Sequence, residues 1–325
     1  MFDVITFGSA TLDILLIPES KETKKVISKK AICFNLGEKI SVKKVYLTSG
    51  GGGTNSATTF SNQGFRVAYF GSIGSDFAGK IIKADLRKRK ISLDFLFETK
   101  KALSNLSVIL PSEKERTIFV YRGASDFLPR FSLKNLKAKW FYIAPLGKKV
   151  FPFFEKVLKF AKENGIKIAI NPSKEHLIFL RKGKKLGKIF SMVDVVIMNQ
   201  EEASLATKTP PTREKEIVQI LQNWIKGIGI ITKGPLGGIV FEKKYFYKFE
   251  ALKVRKVVDR TGCGDAFGSG FVAGILKGFS LENCIQLALA NSASCLMEIG
   301  AKNGLLKKDD SIFKFGKAKI KKYAC

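Results

Sequence analysis

Val257-Val258-Asp259-Arg260-Thr261-Gly262-Cys263-Gly264-Asp265-Ala266-Phe267-Gly268-Ser269-Gly270-Phe271 decides how this chain is read. Two apolar residues read as the end of a strand. A glycine-punctuated turn follows, and an acid then opens a small-and-apolar run with helical character. The backbone N–H groups of Gly262, Cys263 and Gly264 can converge at a helix N-terminus, where negative charge is favoured. Asp265 stands at the mouth of that site. A carboxylate beside an anion-binding turn is what phosphoryl transfer needs: a base for an acceptor hydroxyl, and donors for the charge on the group in transit. The segment alone leaves a second reading open, in which Asp265 only caps the helix.

The rest of the composition narrows the field. A chain of 325 residues with 45% hydrophobic content can bury a large core and is not a disordered protein. No apolar run approaches the roughly 18 residues that suggest a membrane span. Met1-Phe2-Asp3-Val4 has no basic start, so a signal peptide is not expected. The five cysteines (Cys33, Cys263, Cys284, Cys295 and Cys325) have no paired spacing. That fits a reduced, cytoplasmic setting and argues against structural zinc. Lys and Arg outnumber Asp and Glu by 57 to 28, a net charge of +29. The lysines are spread along the chain, so a basic surface is expected in preference to a nucleic-acid stripe. The densest group, Lys314, Lys317, Lys319, Lys321 and Lys322, falls in a tail where disorder is the expectation. His176 is the only histidine; it reads as a surface residue after a turn, which leaves acid–base chemistry to carboxylates.

Outward from the opening segment, short apolar strands alternate with helices of 10–15 residues. Strands are expected at 2–7, 67–72, 140–144, 166–170, 193–198 and 229–232. Helices are expected at 76–90, 151–164, 174–182 and 213–226, and a hairpin at 238–249. This alternation predicts βαβ units and an α/β fold with a doubly wound, mainly parallel sheet. Two β-rich excursions, at about 14–47 and 95–122, break the pattern and read as one small sheet lying over the strand ends. The chain 1–325 is therefore expected to be a single α/β domain carrying a small β-sheet lid.

Four further constellations carry chemistry. Gly50 to Gly53 followed by Asn55 is a loop that lets backbone approach a polar ligand, with an amide suited to hydroxyls; the alternative is a tight turn. Asp13, just beyond the first strand, is costly in apolar surroundings unless it binds something; the alternative is a solvent-facing strand residue. Asn199-Gln200-Glu201-Glu202 places an amide and a carboxylate on one face of a first helical turn, able to hold hydrated magnesium or simply to cap the helix. Thr232-Lys233-Gly234-Pro235-Leu236-Gly237 can contact nucleotide phosphates or serve as a strand–turn–strand link. Each is expected at the C-terminal end of a parallel strand, where open α/β sheets bind ligands.

With these residues in place, the chain resembles the ribokinase-like, pfkB-type carbohydrate kinases over nearly its whole length. Gly8 to Asp13 is similar to that family's first sugar-binding strand end, and Gly50-Gly51 with Asn55 to its di-glycine sugar loop. Gly71-Ser72-Ile73-Gly74-Ser75-Asp76-Phe77-Ala78-Gly79 matches its G-x-[IV]-G-x-D-x-x-G turn, and Asn199 with Glu202 its N-x-x-E motif. Thr232, Gly234 and Gly237 resemble its nucleotide loop. The opening segment is similar to its D-T-x-G-A-G-D signature, with Arg260 in place of a small residue and Cys263 in place of alanine.

The resemblance implies an ATP-dependent phosphotransferase with an alcohol group as acceptor. Asp265 would be its general base and Gly262, Cys263 and Gly264 its anion hole. Asp13, Gly51, Gly52 and Asn55 would hold a sugar; Asn199, Thr232, Gly234 and Gly237 would hold the nucleotide. It further implies Mg²⁺ held through water by Glu202, a monovalent cation such as K⁺ near Asp259, and a homodimer joined through the lids. Gly52 stands where ribokinases carry a sugar-contacting lysine, and Ala144-Pro145-Leu146-Gly147 lacks their glutamate. The acceptor therefore stays open between a sugar and a nucleoside of the adenosine type. A catalytically silent scaffold for nucleic acid or protein is the reading from another class, motivated by the +29 charge and Arg260.

Overall fold

A computed structural model describes residues 1–19, 36–111, 116–128 and 131–324. The first half of the chain forms β1 (Phe2–Phe7), β2 (Thr11–Pro18), β3 (Val42–Gly50), α1 (Gly52–Asn62), β4 (Val67–Gly74), α2 (Phe77–Lys88), β5 (Ser92–Thr99), β6 (Asn105–Pro111), β7 (Arg116–Tyr121), β8 (Ala138–Ile143) and α3 (Phe151–Glu163). The second half forms β9 (Lys167–Ile170), α4 (Lys174–Lys182), α5 (Leu186–Phe190), β10 (Val195–Asn199), α6 (Gln200–Thr207), α7 (Glu214–Trp224), β11 (Ile228–Thr232), β12 (Gly238–Phe241), β13 (Tyr245–Phe249), α8 (Cys263–Leu276), α9 (Leu281–Cys295) and β14 (Ile320–Ala324).

The large sheet has the strand order β14-β13-β12-β11-β10-β9-β8-β1-β4-β5. It is parallel from β5 to β11, and its last three strands are antiparallel. The short strands β4 and β10 are buried almost throughout, as parallel strands covered on both faces must be. One core packs Ala57 and Phe60 of α1, Ile82 and Leu86 of α2, Phe271 of α8 and Ile285 of α9 against the sheet. The opposite core packs Phe154 of α3, Leu177 of α4, Phe190 of α5, Ala203 of α6 and Leu221 of α7. The sheet is thus doubly wound. The strand order reverses between β1 and β8, which makes the crevice above their ends the switch point of the fold.

The small sheet runs β3-β2-β6-β7, with β2 and β6 parallel and the outer pairs antiparallel. It is the lid expected from the two excursions, with adjusted limits. β5 holds Phe95 and was expected to start the second excursion, yet it is the edge strand of the large sheet, parallel to β4. Its alternating pattern does not reveal which sheet it joins. Residues 20–35 of the first excursion, including Cys33, lie outside the described residues.

Other expectations are also revised. Val257 and Val258 are half exposed and belong to no strand; Val258 instead hydrogen-bonds the Leu296 carbonyl through its N–H. The lysine-rich tail ends in β14, held to β13 by a Phe246–Tyr323 stack with centroids 4.8 Å apart and by Lys322 Nζ 4.0 Å from the Tyr245 ring. His176 is buried between Phe151 and Phe154, at centroid distances of 4.4 and 4.6 Å. Burial in that aromatic slot pushes its pKa down to about 4. Among the described residues, no helix is long and apolar enough to cross a membrane.

Candidate active site

The lid strand β3 runs directly into α1 through Gly50 and Gly51. The glycine loop therefore follows a lid strand and not, as expected, a strand of the parallel sheet. Gly51 is the N-cap residue of α1, at φ 95°, and Asn55 lies inside the helix. Asn55 is no cap: its Nδ2 donates to Asp265 Oδ2 at 2.8 Å, and its buried Oδ1 finds no donor among the described residues. The Cα of Gly52 faces the other oxygen of the same carboxylate, and a Cβ there would come within 3.4 Å of Asp265 Oδ1.

Helix α8 begins after Gly262, which has φ 75° and is its N-cap; no side chain caps this end. Asp265, in the first turn, is therefore not acting as a cap. Its carboxyl is half-buried against α1, and desolvation raises its pKa although the Asn55 hydrogen bond opposes the rise. A Cβ on Gly262 would stand 2.3 Å from that of Ala301, so the left-handed turn has room for glycine alone. Cys263 is half exposed, and burial of its sulfur pushes the thiol pKa up.

Asp13 is 6% exposed, which rules out a solvent-facing strand residue. Burial drives its pKa up to about 6; the Ser107 hydroxyl and the Lys302 charge pull it back, while Asp259 and Asp265 add repulsion. The three carboxylates thus share one region. β3 can pass this close only because Gly50 has no side chain: a Cβ there would lie 1.9 Å from Asp13 Oδ2. Asp259 closes the other side. Its Oδ1 accepts from Thr261 N at 2.9 Å and Thr261 Oγ1 at 2.7 Å, and its Oδ2 accepts from Gly300 N at 2.9 Å.

Asn199 ends β10 and is the residue opposite Thr232 at the end of β11. Asn199 and Glu202 form a capping box: Glu202 N donates to Asn199 Oδ1 at 2.8 Å, and Asn199 N donates to Glu202 Oε2 at 2.9 Å. Burial raises the Glu202 pKa to about 7, with Glu201, Glu175 and Asp265 adding repulsion. Glu202 and Asp265 therefore sit within electrostatic reach of each other. Gly234 and Gly237, both at positive φ, form the tight turn from β11 to β12, closed by Lys233 N donating to Gly237 O at 2.7 Å. Among the described residues, no three His, Cys, Asp or Glu side chains converge as a metal cage.

A sequence profile described as pfkB family carbohydrate kinase matches residues 4–308. The chain belongs to the pfkB family. Members of this family are phosphotransferases. A cytidine kinase of Thermococcus kodakarensis is 26% identical over 307 residues, which cover 92% of this chain and 98% of that one. A ribokinase of Haemophilus influenzae is 24% identical over 283 residues, covering 85% and 90%. The fold matches an Arabidopsis thaliana ribokinase solved with ribose and ATP, at a TM-score of 0.78 and 21% identity, covering 97% of this chain and 98% of that one.

Sequence reasoning missed several contributors. Asp76, in the G-x-[IV]-G-x-D-x-x-G turn, caps α2 through Gly79 N at 2.7 Å and accepts from Ser104 N and Oγ, both at 2.7 Å. That pfkB-type motif thereby anchors the start of lid strand β6. Ser107 and Lys302 act on Asp13, and Tyr142 places its hydroxyl under α8, where Gly268 leaves room for it. Of these, only Asp76 carried a signal, through the motif it belongs to.

Proposed function

We propose that this pfkB-family chain is an ATP-dependent kinase that phosphorylates a hydroxyl of a sugar, with Asp265 as general base. The observation that carries the reading is the half-buried Asp265 carboxyl, uncommitted to any cap, held by Asn55 beside a helix N-terminus that no side chain caps among the described residues. A base whose pKa is raised toward the working pH transfers protons more effectively. Asp265 takes the proton from the acceptor hydroxyl, and the N–H groups of Gly262, Cys263 and Gly264 face the charge on the group in transit. Asp13, Gly51, Gly52 and Asn55 orient the acceptor beneath the lid, and the unpaired Asn55 Oδ1 suits a hydroxyl donor.

Asn199, Thr232, Gly234 and Gly237 line the nucleotide side. ATP, when bound, supplies the phosphoryl group, and Mg²⁺ neutralises part of its charge. The donor set suits magnesium held through water, because Glu202 is a half-buried carboxylate within electrostatic reach of Asp265 and, among the described residues, no cluster of acidic, histidine or cysteine side chains forms a cage. At Asp259 the chain itself occupies three carboxylate lone pairs, so K⁺ there would draw its remaining ligands from backbone carbonyls. Val45, Leu47 and Phe119, on the face of the small sheet opposite Asp13, are exposed and fit a homodimer joined through the lids. The unpaired Cys263, Cys284 and Cys295 suit the cytoplasm.

A nucleoside acceptor is the second reading, favoured by the similarity to a cytidine kinase over 92% of the chain. Both readings are tested by ADP release over pentoses, hexoses, sugar phosphates and nucleosides, with and without Mg²⁺ and K⁺. Turnover of one of these classes is expected, and its abolition in Asp265→Asn with nucleotide binding kept. Near-normal turnover in that variant overturns the mechanism.

A further inference from the structure

A buried lysine lies between the lid and the anion turn. Lys302 is 2% exposed. Its ammonium donates to Ser49 Oγ at 2.8 Å and pairs with Asp85 Oδ2 at 3.1 Å. Ser49 is the next-to-last residue of β3 and follows Thr48, the residue paired with Asp13. Asp85, on α2, is also held by Arg89 Nε at 2.8 Å, and Arg89 reaches back to Lys302 O at 3.4 Å and Asn303 Oδ1 at 3.3 Å.

Two residues before Lys302 the same loop does something different. Gly300 packs on Thr48 of β3 and gives its N–H to Asp259, whose other oxygen holds Thr261 immediately before Gly262. The loop is therefore a bracket, with its back on α2, one arm on the end of β3 and the other on the anion turn. An ion pair that only filled space here would be replaceable by apolar side chains at little cost. The ammonium instead serves two sites, bonding a lid hydroxyl and drawing Asp13 toward its ionised form.

We propose that Lys302 is a positioning residue: it holds the end of β3, and with it the Asp13 side of the acceptor site, in register with the Asp259–Gly262 turn. The kinetic part of this inference rests on the kinase reading; the conformational part does not. Lys302→Met removes the charge while Asp85 keeps Arg89 as partner, and Ser49→Ala removes only the lid bond.

Hydrogen–deuterium exchange on the full chain without ligand is expected to quicken about tenfold at residues 42–50 in both variants, with α3 and α4 unchanged; that is the factor for losing one hydrogen bond to a charged group. With an acceptor that the wild type turns over, the acceptor KM is expected to rise about tenfold while the ATP KM holds within about twofold. A clamp serving stability alone would lower the melting temperature of Lys302→Met and leave the exchange at 42–50 and the acceptor KM of Ser49→Ala unchanged; that result overturns the proposal. If the wild type turns over no acceptor, the kinase reading fails and the exchange result alone decides this one.

Discussion

Asn55 on α1 and Asp265 on α8 are 210 residues apart in sequence and meet through a 2.8 Å hydrogen bond. Each comes from a different part of the fold: Asn55 follows the lid by five residues from Gly50, and Asp265 follows the Gly262 turn. The bond favours the ionised carboxylate against the burial that raises its pKa. Asn55→Leu is therefore expected to move the acid limb of the kcat profile to higher pH and to cut turnover at neutral pH by about 10²-fold or more, within the range for a misprotonated general base. A pH–rate profile of the variant against wild type checks this; an unmoved limb contradicts it.

Asp13 has the opposite effects on binding and stability. Its folded pKa of about 6 lies above the 3.8 of an exposed aspartate. Its contribution to stability is whole below pH 4 and is lost as pH rises through 6. The shift of roughly two units corresponds to at most about 3 kcal/mol. Asp13→Asn is expected to unfold at higher urea than wild type at pH 8, with the gap closing at pH 4, while its acceptor KM rises strongly.

His176 has the reverse sign. Its folded pKa of about 4 lies below the 6.5 of an exposed histidine. Its contribution is whole above pH 6.5 and is lost as pH falls through 4. His176→Phe, which keeps a ring against Phe151 and Phe154, is expected to resist acid unfolding better than wild type by up to about 3 kcal/mol. Circular dichroism along an acid titration measures the difference.

Gly262→Ala would place a methyl group 2.3 Å from Ala301 Cβ at φ 75°. A loss of about 1–3 kcal/mol in stability is expected from the backbone alone. A fall in kcat larger than that destabilisation explains is expected as well, because the turn that presents the anion-hole N–H groups must shift. Denaturant unfolding and saturation kinetics on the same preparation separate the two.

Periodicity within a segment was readable from sequence, and partners across the chain were not. The strand–helix alternation from Trp140 onward located α3, α4 and the β12–β13 hairpin closely, because each is written in its own residues. Asn199 and Glu202 were visible as a pair, and they prove to be a capping box in which Glu202 also feels the charge of Asp265. The side of the site occupied by Lys302 was silent, since its burial depends on Ser49 and Asp85, more than 200 residues away. His176 was misread for the same reason: the rings that bury it belong to α3. Val257 and Val258 carried strand composition without a neighbouring strand to pair with.

The switch-point geometry divides labour between two sheets. On the proposed assignment, the acceptor side is written in β2, β3 and β6 of the small sheet and in the first turn of α1, whereas the phosphoryl side is written at the ends of β10 and β11 of the large sheet and in α8. The seams between them include Ser104 to Asp76 and Lys302 to Ser49, and Asn55 to Asp265 joins α1, which continues β3, to α8. A lineage could therefore exchange what it phosphorylates by rewriting the small sheet, with the transfer apparatus inherited intact, so long as those seams are kept.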